Sequence, residues 1–105
     1  MTIESSPEML KVAQRVVWHL EPEEALRRPL VFLAHVMTLG TTKDIVTVER
    51  VLGREAFRVA LDAAPPGHFD PRSWAYWNLL FDRWPPPPLP ERDLSNRFDT
   101  DPTEA

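Results

Sequence analysis

The placement of the prolines constrains this chain more than any other feature. Twelve occur in 105 residues, accompanied by only three glycines. Proline has no backbone N–H and fixes φ near −65°, so it breaks a helix from inside but is pre-organised for the first turn. Pro7, Pro29 and Pro71 each head a segment whose apolar residues recur at helical spacing, and are read as helix openers. Ser5 or Ser6 caps the first, with Glu8 three residues after Ser5 as in a capping box. Met9, Val12, Ala13, Val16, Val17 and Leu20 then supply one apolar face. Residues 21–28 begin a second helix that Pro29 re-starts, and residues 29–39 are apolar nearly all round, as a central packed helix would be. Gly40 ends it.

Thr41-Thr42 cap the next segment, where Ile45, Val48 and Leu52 stand at i, i+3 and i+7. Ile45-Val46-Thr47-Val48 alone could form a strand, but Gly53 and the flanking charges fit a helix stop. Residues 54–64 follow with Phe57, Ala60 and Leu61 on one face, and Pro65-Pro66-Gly67 turns the chain. Asp70 then caps a last helix expected to run to about Arg83. The expected fold is all-α: a small bundle of about five short helices over residues 1–84. A proline-rich, acidic, flexible tail over residues 85–105 completes it.

The tail follows from composition. It holds six of the twelve prolines and few large apolar side chains, Leu89 and Phe98 among them. Ordering a residue costs roughly 1–2 kcal/mol, which so little burial cannot offset. Residues 85–90 read as a polyproline stub leading away from the body, so removing the tail should leave the melting temperature nearly unchanged. Charge divides at the same place. Residues 1–84 carry ten Lys/Arg against eleven Asp/Glu, and residues 85–105 carry two against five. No concentrated basic field is present, so nucleic acid is not the expected partner.

Without cysteine there is no disulfide scaffold and no thiolate metal site. Met1-Thr2-Ile3-Glu4-Ser5 lacks a basic region followed by an apolar run, and the longest apolar stretch, residues 29–39, is too short to span a bilayer. A cytoplasmic location, with no membrane partner, is expected. Catalytic chemistry is missing as well. His19, His35 and His68 lie in three different segments with no ligand spacing, and His35 reads as a hydrogen-bonded core histidine. Three glycines cannot build a phosphate-cradling loop, and no nucleophile has a base at a recognisable distance. No catalytic residue, metal or cofactor is expected, and the chain is not read as an enzyme.

What stands out instead is aromatic density. Residues 69–84 contain three tryptophans, a tyrosine and two phenylalanines. On a helical wheel Tyr76, Leu80, Trp84, Trp77, Phe81 and Trp74 cover about 160°, with Leu79 outside even that arc, whereas one core-facing stripe needs only about 100°. Either the helix contacts two neighbours, or Trp74, Trp77 and Phe81 enter the core while the Tyr76–Leu80–Trp84 edge faces a partner. Large aromatics are what binding anchors are made of. Two weaker signals accompany it. Arg50, Arg54 and Arg58 recur every four residues across Gly53, in the outline of a helix-turn-helix, with Glu49 and Glu55 interleaved. Pro87-Pro88-Leu89-Pro90-Glu91-Arg92 fits the P-x-x-P-x-Arg form read by aromatic grooves, although so short a motif is frequent by chance and reads first as a stiff spacer.

Four landmarks in order carry a resemblance. They are Val17-Trp18-His19-Leu20-Glu21-Pro22, Val36-Met37-Thr38-Leu39-Gly40, Val51-Leu52-Gly53-Arg54-Glu55-Ala56-Phe57, and Phe69-Asp70-Pro71-Arg72-Ser73-Trp74-Ala75-Tyr76-Trp77. Over residues 17–82 the series resembles the small helical proteins encoded beside AbiEii-type nucleotidyltransferase toxins, which are taken to be the antitoxins of those pairs. Pro29 and the Pro65-Pro66-Gly67 turn depart from the pattern. The resemblance implies a non-enzymatic protein that restrains a nucleotidyltransferase-type toxin. The residues expected to meet that partner are Tyr76, Leu80, Trp84 and Leu89, with Asp93, Asp99 and Asp101 facing a basic surface. A helical adaptor in another complex, or a DNA-binding autoregulator, is the alternative.

Overall fold

In the computed structural model, which describes residues 2–90, six helices and no strand are present among the described residues. They are α1 (Pro7–Val16), α2 (Pro22–Leu26), α3 (Pro29–Leu39), α4 (Thr42–Leu52), α5 (Arg54–Asp62) and α6 (Pro71–Leu80). Four of the six begin at a proline. The count exceeds the expected five because residues 21–39 divide into two helices. Pro29 pushes Arg28 out of the helical region, to φ −118° and ψ 73°, so α2 ends and α3 starts afresh.

The caps follow the side chains. Ser6, not Ser5, caps α1, accepting a hydrogen bond from the Met9 amide at 3.3 Å, so Glu8 closes no box there. The reciprocal box forms at α4 instead. Thr41 accepts from the Asp44 amide at 3.2 Å, and Asp44 accepts from the Thr41 amide at 3.1 Å. Residues 45–48 are helical, within α4. Gly53 separates α4 from α5 with φ +89°, a conformation that side chains with a Cβ rarely adopt.

α3 is the axis of the fold. It packs against each of the other five helices, and Phe32, Leu33, Ala34, Val36 and Met37 on it are buried. Around it lie Met9, Val12 and Val17 from the α1 region, Val48 from α4, and Phe57 and Leu61 from α5. One carboxylate enters this interior: Asp44 is 2% exposed and is paired with Arg15 of α1. Burial alone would raise its pKa. The hydrogen bonds from Arg15 and the Thr41 amide outweigh that and hold it below the usual carboxylate range.

Residues 85–90 do not lead away from the body. The Trp74 indole donates to the Pro87 carbonyl at 2.7 Å, and the Gly67 amide donates to the Pro90 carbonyl at 3.2 Å. Leu89 is half-buried against the core. A polyproline strand keeps every carbonyl free, and here two of them are taken by donors of the body.

Candidate protein-binding face

The aromatic helix α6 is fixed by its buried side. Asp70 caps it, and its contacts with Ser73 hold the Asp70 carboxyl below its ordinary pKa. Trp77 is 5% exposed; its ring lies 5.1 Å from that of Phe57, and its indole donates to the Met37 carbonyl at 2.8 Å. That carbonyl lies in the last turn of α3, where helical partners run out, so Trp77 satisfies an orphan acceptor of the central helix. Trp74 is buried against Phe69, with ring centroids 5.5 Å apart. Phe81 is half-buried beneath the Arg54 guanidinium, 4.7 Å from its ring centroid. α6 is thus held by α3 and by Phe57 of α5 on the Trp77 side, and by residues 85–90 on the Trp74 side.

The remaining side is open. Tyr76 is 56% exposed and Leu80 37%, and Leu79, outside the expected arc, is 55% exposed. Tyr76, Leu79 and Leu80 stand at i, i+3 and i+4, one face of one helix. Trp84, at 65%, is exposed too but is not on that helix. The helix expected to reach Arg83 ends at Leu80. Asp82 takes the left-handed conformation (φ 61°), its amide bonds to the Leu79 carbonyl at 3.0 Å, and the Arg83 amide bonds to Asn78 at 2.8 Å. These are the two bonds of a Schellman stop, with Asp where Gly is usual. A wheel drawn through Trp84 therefore misplaces it. It stands in the turn before residues 85–90, on a cis bond to Pro85. Of the other residues expected to meet a partner, Leu89 is half-buried against the core, and Asp93, Asp99 and Asp101 lie outside the described residues.

The three arginines of the helix-turn-helix outline are engaged separately. Arg50 pairs with Glu8 at 2.8 Å, Arg54 donates to the Leu80 carbonyl at 2.9 Å, and Arg58 pairs with Glu55 and with Asp62. Each is bound to groups of its own chain.

The histidines are the constellation that sequence spacing hid. His19 from the α1–α2 connection, His35 from α3 and His68 from the α5–α6 loop form a row, with ring centroids 5.6 Å apart at both steps. Trp18, 79% exposed, continues it edge-on at 5.4 Å from His19. The His35 Nδ1 bonds to the Val31 carbonyl at 2.8 Å. Burial, with the neighbouring His68 and His19, pushes the His35 pKa down despite that bond. His35 and His68 line an open cleft of about 600 Å³, together with Asp70 and Arg72. Among the described residues no three His, Asp or Glu side chains converge where a metal ion could sit. No helix there is long and apolar enough to cross a membrane.

Compared with family models, curated proteins and solved structures, the chain matches none of them.

Proposed function

We propose that this chain is a non-enzymatic protein-binding antitoxin that restrains a nucleotidyltransferase-type toxin in the cytoplasm. The landmark series over residues 17–82 motivates the choice of partner. The observation that carries the binding role is the open apolar face of α6, where Tyr76, Leu79 and Leu80 are exposed on a helix whose opposite side is locked by Trp77. Rigid aromatic anchors on a fixed element lose little entropy on docking. Trp84, four residues past the end of that helix, adds a second large exposed ring.

The acidic residues Asp93, Asp99 and Asp101 take the role of steering charges toward a basic, RNA-handling surface. They are reached through Pro90, which is bonded to Gly67, so their point of departure lies near the α5–α6 loop rather than at the end of α6. The same face would serve a helical adaptor in another complex. The autoregulator reading loses support because Arg50, Arg54 and Arg58 are engaged within the chain.

Co-expression with the product of the adjacent gene tests the proposal. Neutralisation of a toxic neighbour, with a complex that survives purification and weakens on Tyr76→Ala or Trp84→Ala, is the expected result. A neighbour that is harmless, or stays toxic and unbound beside this protein, removes the antitoxin role and leaves the adaptor.

A further inference from the structure

The histidine row joins three separate parts of the chain. His19 follows α1, His35 lies at the middle of α3, and His68 belongs to the loop before α6. Two ring–ring steps of 5.6 Å, with interplanar angles of 45° and 69°, are ordinary aromatic contacts while the rings are neutral. Charged, the same rings become like charges at close range. We propose that His19, His35 and His68 form an acid-sensitive clasp. Neutral, the rings hold the α5–α6 loop to α3; protonated, they repel one another and release it.

Burial and the neighbouring rings, not the bond to Val31, favour the neutral form of His35. His35 keeps its Nδ1 proton on the Val31 carbonyl in either charge state, so a second proton can enter only at Nε2. The His68 Nδ1 is buried without a partner. Exposed Glu21 and Glu23 follow His19 in the chain, and the other carboxylates around the row are engaged. Asp70 lines the cleft but is engaged at the α6 cap, and Arg72 adds positive charge. On the other elements packed against α3, Asp44 is held by Arg15, Glu24 by Arg27 and Arg28, and Asp62 by Arg58 and Arg83. The downward push on the His35 pKa agrees with this arrangement.

Release would travel along the loop. Gly67 holds Pro90, and Phe69 packs on Trp74, whose indole holds Pro87. Opening the clasp therefore loosens the anchorage of residues 85–90. The effect needs no partner, so it stands or falls apart from the antitoxin reading.

The test is an NMR titration of the full chain from pH 7.5 to 5.0. It follows the three imidazoles, the exchange protection of the Gly67 amide and of the Trp74 indole N–H, with exchange corrected for its intrinsic pH dependence. His35 should titrate below about 6.5, the ordinary histidine value, and protection should fall by up to about tenfold per pH unit as His35 takes up its proton. His35→Gln and, separately, His68→Asn should flatten that fall to under about threefold over the range, because the row is interrupted. A His35 midpoint at or above about 6.5 in the natural chain would overturn the clasp, whatever the variants do. So would an unchanged fall in protection in both variants.

Discussion

Trp77 joins α6 to the rest of the molecule, and replacing it with phenylalanine separates its two contributions. Phe keeps an aromatic ring against Phe57 but removes the indole N–H, leaving the Met37 carbonyl of α3 without its donor. A buried acceptor stripped of its partner costs about 1–3 kcal/mol. The smaller ring adds a packing loss of about 1 kcal/mol. The sum, about 2–4 kcal/mol, is a large share of the 5–15 kcal/mol that holds a small domain together. Trp77→Ala forfeits the ring as well and falls in the range of about 3–5 kcal/mol, near the limit of folding. Trp77→Phe is therefore the variant to measure, by urea unfolding with the slope m checked for constancy. Trp84→Ala is the control: with that ring 65% exposed, its expected loss is under about 0.5 kcal/mol. A Trp77→Phe loss under about 0.5 kcal/mol would refute the bond to Met37. It would also reopen which side of α6 faces inward.

Ending the chain at Trp84 deletes the bonds to Pro87 and Pro90. The expected loss is about 1–2 kcal/mol, a fall in melting temperature of roughly 5–15 °C, where composition alone predicted none. Gly53→Ala should cost about 1–3 kcal/mol by strain at φ +89°, since a Cβ there meets no neighbour; chemical denaturation reads it. The Asp44 carboxyl is held below its ordinary value. Its contribution to stability is thus complete above about pH 4 and lost as pH falls through the folded value, and Arg15→Ala should flatten an acid-unfolding curve in that range. Any DNA affinity should show a shallow salt dependence in a filter or anisotropy titration, because Arg50 and Arg58 already face carboxylates.

The helices were legible where the signal was local. Proline at a first turn, a side-chain cap and a glycine stop each act within a few residues, and α1, α3, α4 and α6 begin where those signals stand. The burial of Trp74 and Trp77 and the exposure of Tyr76 match one of the two divisions that the 3.6-residue period left open. The stop after Leu80 did not. Nothing in Phe81-Asp82-Arg83 names a terminus, because aspartate occupies the left-handed position that glycine would have marked. One misplaced terminus was enough to put Trp84 on a helix edge it does not share.

The other failures have a common physical origin. Composition predicts that residues 85–90 cannot build a core, and this remains true of them as an isolated segment. It says nothing of donors elsewhere that need an acceptor. The Trp74 indole is such a donor, and proline carbonyls, left free by a backbone that bonds to nothing else, are well suited to receive it. The histidine row fails the same way. His19, His35 and His68 share no sequence period, because the contact depends on how α3 carries a ring between a turn and a loop. Short-range rules locate the elements of this chain. Which polar groups meet across them is settled by the requirement that a buried donor or acceptor find a partner, and among the described residues two buried side-chain atoms, His68 Nδ1 and Asn78 Oδ1, mark where that requirement is unmet.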